Sequence, residues 1–283
     1  MMTVSESLSG AVAQLERAGL DDSRLEARLL LERSLERSNV WIYQHLQEPI
    51  SPEASEQFIG LIRRRLSGTP VAYLLGRREF YGRMFQVDSR VLVPRPDTEV
   101  LLETALAYIR NSGASALIDV GTGSGILAVS LALEIPTCRV WAVDRSADAL
   151  AVAELNLHRH GVADRVNLLL GDLLTPVTIQ ADVIVANLPY VPTAEVDHLQ
   201  LEVRQEPRGA LDGGSDGLDL YRRLLTHVPR VLRPQGALFL EIGDQQGAAA
   251  RQIVEAALPG HRVRVLRDLS DRDRVISASA ERE

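Results

Sequence analysis

Leu117-Ile118-Asp119-Val120-Gly121-Thr122-Gly123-Ser124-Gly125 decides the fold of this 283-residue chain. A short apolar run breaks into a glycine-rich turn, and the turn opens a helix. The same order recurs downstream. Candidate strands are Leu117–Val120, Val140–Val143, Val166–Leu170, Asp182–Ala186, Ala237–Ile242, Val263–Leu266 and Val275–Ala278. Helical stretches of about a dozen residues separate the first four, which predicts βαβ units. The expected class is α/β, with a mostly parallel, seven-stranded sheet.

The ends of these strands carry the chemistry. Glycines after the first strand let a ligand approach the backbone closely, and a helix N-terminus favours a carboxylate or phosphate. A dinucleotide turn reads G-x-G-x-x-G. Here Gly125 comes one residue early and Ile126 stands at the dinucleotide position, which favours a ligand without a pyrophosphate. Asp144 ends the second strand, where a carboxylate reaches both hydroxyls of a ribose. Asp172 follows the third and could accept from an adenine amino group. Asn187 ends the fourth. Each acid alone reads as a cap or turn residue. Four consecutive strand ends bearing such groups on one sheet edge read as a ligand site.

Asn187-Leu188-Pro189-Tyr190 follows the buried run Val183–Ala186. It combines a side-chain amide, backbone carbonyls and an aromatic ring. That set can grip a flat –NH₂ group, either a glutamine amide or the exocyclic amine of a base.

Composition narrows the class. The chain is 46% hydrophobic and 24% charged, with net charge −7, the profile of a globular protein that does not wrap phosphate backbones. No apolar run reaches membrane-span length, and the N-terminus lacks a secretory or transit signature. The expected location is the cytoplasm. The lone Cys138 excludes an internal disulfide or a cysteine-rich zinc site. All 31 basic residues are arginine, which excludes Schiff-base and P-loop lysine chemistry. Eight arginines fall between Arg63 and Arg95, read as a solvated face with structural ion pairs, or as a docking surface for an acidic partner.

Residues 4–67 read as helices. Leu8, Val12, Leu15 and Ala18 recur at helical spacing, as do Leu25, Leu29 and Leu30. Ser51-Pro52-Glu53 starts a helix whose buried face is expected at Phe58, Ile59, Ile62 and Leu66. Two short strands are expected around Gly82. Asp97-Thr98 is expected to cap a helix running to Arg110. The predicted organisation is a helical recognition domain over 1–75, a β-hairpin linker over 76–93 and the α/β domain over 94–283.

The strand-end pattern resembles class I S-adenosylmethionine-dependent methyltransferases. Over almost its whole length the chain resembles the release-factor glutamine methyltransferases, on Gly68–Tyr73, Glu79–Gly82, Leu92–Glu99, Asp119–Gly125, Asn187–Tyr190, Glu206-Pro207 and Glu241–Gly243. The resemblance implies a Rossmann-like methyltransferase sheet and S-adenosyl-L-methionine as cofactor. It implies that the substrate is the glutamine of the Gly-Gly-Gln motif in peptide-chain release factors 1 and 2. The expected cofactor set is Asp119, Gly121, Thr122, Gly123, Ser124, Gly125, Asp144, Asp172, Leu173 and Asn187. The expected catalytic and substrate-binding set is Asn187, Leu188, Pro189 and Tyr190. Glu206, Pro207 and Glu241 read as structural. A monomer without membrane or stable nucleic-acid binding is expected.

One position departs from the family pattern: Leu188 stands where Asn-Pro-Pro-Tyr has its first proline. Asn-Leu-Pro-Tyr resembles the motif of ribosomal-RNA adenine dimethyltransferases, so an amino-methyltransferase acting on adenine in RNA or DNA is the alternative. The acidic balance, the leading helices and Pro94–Glu99 favour glutamine.

Overall fold

The computed structural model describes residues 2–280. The chain forms two compact units. One runs to Arg77 and takes in Gln200–Gln205 from far downstream; the other holds Arg78–Leu199 and the chain from Glu206 onward.

The first unit contains α1 (Val4–Arg17), α2 (Ser23–Leu35), α3 (Asn39–Gln44), α4 (Pro52–Leu66) and α5 (Val71–Leu75). Thr3 and Glu6 form a capping box on α1, and Ser38 and Ser51 cap α3 and α4. The core gathers Val4, Leu15, Leu30, Leu31, Ile42, Phe58 and Ile62. Helical faces differ in detail from the periodicity. On α1 the buried stripe is Val4, Ser7, Ala11 and Leu15, and Ala18 is exposed. On α2, Leu25 is exposed and Glu26, Ala27, Leu30 and Leu31 turn inward. On α4, Leu61 is buried and Ile59 is exposed. A buried ion pair explains the α2 and α4 faces. Arg65 Nε donates to Glu26 at 2.7 Å, Nη2 to its second oxygen at 3.0 Å, and Nη2 also meets Glu202 at 2.6 Å. Apolar periodicity is blind to a charge that folds inward only because it is paired. Glu202 belongs to the returning segment. So does Leu201, which lies over Gly68, leaving no room there for a Cβ.

A hairpin follows, β1 (Arg77–Phe80) and β2 (Arg83–Gln86), which belongs to the second unit from Arg78 on. Tyr81 and Gly82 both have positive φ, 50° and 69°, as a two-residue type I′ turn requires. Phe80 and Phe85 meet edge-on and enter the core of this unit. Next comes α6 (Thr98–Ser112), two residues longer than expected. Asp97 precedes it without capping it through its side chain; its carboxylate pairs with Arg274 at 3.2 Å instead.

The remaining elements are β3 (Ala116–Val120), α7 (Ile126–Glu134), β4 (Arg139–Asp144), α8 (Ala147–Arg159), β5 (Val166–Leu170), β6 (Ala181–Ala186), α9 (Thr193–Val196), α10 (Asp219–Val231), β7 (Leu232–Glu241), α11 (Gly247–Ala257), β8 (His261–Arg267) and β9 (Asp273–Ala280). All seven expected strands form one sheet, ordered β5-β4-β3-β6-β7-β9-β8. Five run parallel and β9 is antiparallel to both neighbours. Alternate residues feed two cores. Leu117, Val183, Val185 and Phe239 face α6 and α7, while Ile118, Ile184, Leu238 and Leu240 face α10 and α11. Burial on both faces accounts for the unbroken apolar runs.

Strand order reverses between β3 and β6. The first β-α unit winds from β3 outward to β4 and β5, and the chain then returns to β6 on the other side. A crevice opens at such a switch point, at the carboxyl ends of the strands. Register levels those ends: Val120 pairs with Val143 and with Ala186, and Ala186 with Leu240. The next residues, Gly121, Asp144, Asn187 and Glu241, therefore stand in one row.

Candidate active site

The glycine turn is held by its neighbours. Gly121 N and Thr122 N donate to the Val143 carbonyl at 2.8 and 3.0 Å. Gly121, Gly123 and Gly125 have φ of 75°, 56° and 81°, the left-handed region that glycine enters without penalty. A Cβ on Gly121 would lie 2.8 Å from Leu188 Cδ2, so the turn and the Asn187–Tyr190 segment are in direct contact. Asn156, fully buried on α8, clamps the turn from behind. Its Nδ2 donates to the Ser124 carbonyl at 2.8 Å and the Gln86 carbonyl at 3.0 Å, and its Oδ1 accepts from Gln86 N at 2.7 Å.

These elements wall a cavity of about 310 Å³. Gly121, Thr122, Gly123, Ser124, Asp144, Asp172, Leu173, Asn187, Leu188 and Pro189 line it. Asp144 accepts from Gly123 N and Ser146 N, both at 2.9 Å, one on each oxygen. Leu173 has φ 52°, strain of the kind concentrated at ligand clamps. Leu92, Ile126 and Leu220 add apolar wall.

Three predicted site residues sit differently from expectation. Asp119 does not line the cavity. It is buried in the turn, accepting from Thr122 Oγ1 at 2.6 Å and Ala128 N at 3.1 Å. Burial pushes its carboxyl up to about 7, and Oδ1 has no hydrogen-bond partner among the described residues. Gly125 is also absent from the wall; it packs on Ala153, 3.2 Å from where a Cβ would stand. Tyr190 stands behind the cavity, with its hydroxyl 3.4 Å from Glu241 Oε1. Asp172 does reach the cavity, but its half-exposed carboxylate is ion-paired with Arg223 on the outer side.

Periodicity and motif spacing missed the supports of Asn187. Asn187 Nδ2 donates to Thr98 Oγ1 at 3.0 Å. Leu188 N donates to the Tyr221 hydroxyl at 3.3 Å, and that hydroxyl donates to the Glu241 carbonyl. The same hydroxyl lies 3.2 Å from the Leu188 carbonyl, but its single proton is engaged by the closer Glu241 oxygen. Glu206, buried at its carboxylate, accepts from Val93 N at 2.8 Å and pairs with Arg95. It thereby fixes the Leu92–Arg95 wall. Four of the eight arginines between 63 and 95 form such pairs, Arg65, Arg83, Arg90 and Arg95.

Comparison with known proteins adds the family. The release factor glutamine methyltransferase of Moorella thermoacetica is 43% identical over 278 residues, covering 98% of each chain. That of Bacillus subtilis is 39% identical over 286 residues, again covering 98% of each. The chain belongs to the release factor glutamine methyltransferase family. Residues 6–76 match the family model "PrmC N-terminal domain", and residues 96–197 match that of ribosomal protein L11 methyltransferase. Among solved structures, the ribosomal protein L11 methylase of Lactobacillus delbrueckii subsp. bulgaricus superposes with a TM-score of 0.52 at 19% identity. It covers 72% of this chain and 90% of its own, a likeness of fold. The chain is thus a methyltransferase enzyme with the Rossmann-like sheet of that class. No helix among the described residues is long and apolar enough to cross a membrane.

Proposed function

We propose that this enzyme methylates the side-chain amide nitrogen of the glutamine in the Gly-Gly-Gln motif of class 1 release factors, with S-adenosylmethionine as donor. One observation carries the reading. Asn187 stands one strand from the glycine turn, at the switch point, with Nδ2 tied to Thr98 and Oδ1 without a partner among the described residues.

The residues present fit the cofactor. Asp144 has one hydrogen bond on each oxygen and a carboxylate offers about four acceptor sites, so it can take both ribose hydroxyls. Gly121–Ser124 would hold the amino-acid end and the apolar wall at Leu92, Ile126 and Leu173 the base. Asp119 and Gly125 would act from beneath, by holding the turn. When bound, the cofactor supplies an electrophilic methyl group on a sulfonium sulfur.

The chain supplies position. Conjugation of the amide nitrogen's lone pair with the carbonyl makes it a weak nucleophile. The Asn187 Oδ1 and the Leu188 carbonyl would accept its two hydrogens, fixing the nitrogen and drawing electron density onto it. Pro189 would wall the pocket, and Tyr190 would buttress it from behind. Alignment of this kind is worth up to roughly 7–11 kcal/mol of barrier. No strong base is needed before transfer, because the methylated amide loses its proton readily to water. This reading places the enzyme in the cytoplasm, where release factors act.

The test offers purified unmethylated release factor and ribosomal RNA side by side with labelled cofactor. Label is expected on the release factor and is expected to vanish when its tip glutamine is replaced. Asn187→Ala should lower turnover by about 10²- to 10³-fold with cofactor affinity kept. Label on RNA alone, or near-normal turnover in that variant, refutes the assignment.

A further inference from the structure

Glu241 ends β7 in the same row as Asn187. It is fully buried, and its Oε2 has no hydrogen-bond partner among the described residues. A buried carboxylate without a full complement of donors is costly, and none of the cavity-lining roles above uses it. Its surroundings are specific. The Tyr190 hydroxyl points at Oε1 from 3.4 Å. The Thr98 hydroxyl, also buried, bears on the same carboxylate. Thr98 Oγ1 in turn receives Asn187 Nδ2 at 3.0 Å. The backbone carbonyl of Glu241 takes the Tyr221 hydroxyl, which receives Leu188 N. One residue thus meets three supports of the Asn187–Tyr190 segment: Thr98, Tyr190 and Tyr221.

We propose that Glu241 is a positioning residue which sets the direction of this hydrogen-bond chain and so decides which end of the Asn187 amide faces the acceptor. An asparagine side chain fits its site in two orientations related by a flip, and only neighbouring donors and acceptors distinguish them. An ionised carboxylate can only accept. A Thr98 proton sent to Glu241 leaves the hydroxyl oxygen to accept from Asn187 Nδ2. That turns Oδ1 toward the methyl acceptor. With a donor at position 241, the Thr98 proton is free to turn to Asn187, and the flipped amide would present N–H to a substrate that is itself N–H. The inference rests on the proposed grip of a glutamine amide by Asn187.

Burial, the largest influence, raises the Glu241 carboxyl to about 7 from 4.5. The groups facing it are Asp97, Tyr190, Tyr221 and Arg274. Tyr190 and Tyr221 are pushed upward by burial and stay protonated. Because the folded value lies above the unfolded one, ionisation of Glu241 costs stability. That cost is absent below about 4.5 and complete above about 7.

The experiment compares Glu241→Gln with wild type on release factor. Turnover should fall about 10- to 100-fold, with the KM for release factor and the cofactor dissociation constant each within about twofold. At pH 8 the variant should melt at the same temperature or higher, and that advantage should fade towards pH 4.5. Wild-type turnover should rise with pH through about 7, and this rise should be missing in the variant. Thr98→Ser should keep most activity and Thr98→Val should lose it, which carries the test if Glu241→Gln does not fold. In the Thr98→Val, Glu241→Gln double variant the losses should not add. Unchanged turnover in either Glu241→Gln or Thr98→Val overturns the proposal. Losses that track melting temperature and cofactor binding, or that add in the double variant, also overturn it. Failure of the underlying reading shows separately, as wild-type protein that leaves release factor unlabelled or as an active Asn187→Ala.

Discussion

Gly121→Ala tests the contact between the glycine turn and the Asn187–Tyr190 segment. Position 121 has φ 75°, and an added Cβ would lie 2.8 Å from Leu188 Cδ2 and 3.6 Å from the Asn187 carbonyl oxygen. Two costs follow. Holding alanine in the left-handed region costs about 1–2 kcal/mol. Leu188 is 4% exposed, so its side chain can yield only by leaving its rotamer, at about 0.5–1.5 kcal/mol. The sum is roughly 1.5–3.5 kcal/mol, or a melting point lower by roughly 3–14 °C for a chain of this size. The consequence for turnover is larger than for stability. Whatever part of the clash passes to the Leu188 backbone displaces its carbonyl, and a misplacement on the order of 1 Å costs about 100-fold. Leu188→Ala destabilises by itself but removes the atom that the new methyl strikes. The double variant should therefore be about 1 kcal/mol more stable than the two single effects predict. The assay is a double-mutant cycle by thermal and denaturant unfolding, with turnover on release factor alongside. Additivity within about 0.5 kcal/mol would show that Leu188 does not rest on the turn.

Two further outcomes follow from buried polar groups. Asn156→Ala strands Gln86 N, Gln86 O and Ser124 O, at about 1 kcal/mol or more each; calorimetry should show a fall of roughly 6–12 °C, with weakened cofactor binding by titration calorimetry, and an unchanged melting point would refute the clamp. Cys138 is buried, which pushes its thiol up to about 11; at pH 8 the native enzyme should resist a disulfide reagent and react fully once denatured, whereas rapid native labelling would refute the packing.

Much of the second unit was legible in the sequence because its strands are buried on both faces. Val183–Ala186 and Leu117–Val120 read as strands without help from tertiary context, and the strand ends carry their own polar marks. The supporting groups were less visible, for a physical reason. Thr98, Tyr221 and Glu241 act through single polar atoms brought together from α6, α10 and β7, and no local period encodes such a meeting. Glu241 reads as structural because one acid after an apolar run has no spacing partner. At Asp119 the place near the end of the first strand marks a cofactor contact, whereas its carboxylate turns inward to Thr122 and Ala128 and holds the turn from beneath. In the helical unit, α2 and α4 misled because Glu26 and Arg65 are buried as a pair.

The return of Gln200–Gln205 to the helical unit bears on how such enzymes can be recombined. Glu202 closes on buried Arg65, and Leu201 covers Gly68, so the unit is discontinuous in the gene. A chimera that exchanges only the first 77 residues carries a foreign six-residue patch into its own helical unit. Arg65 would then face whatever acid, or none, the recipient supplies at position 202. Working hybrids need two grafts, and a fragment ending at Arg77 is an incomplete unit.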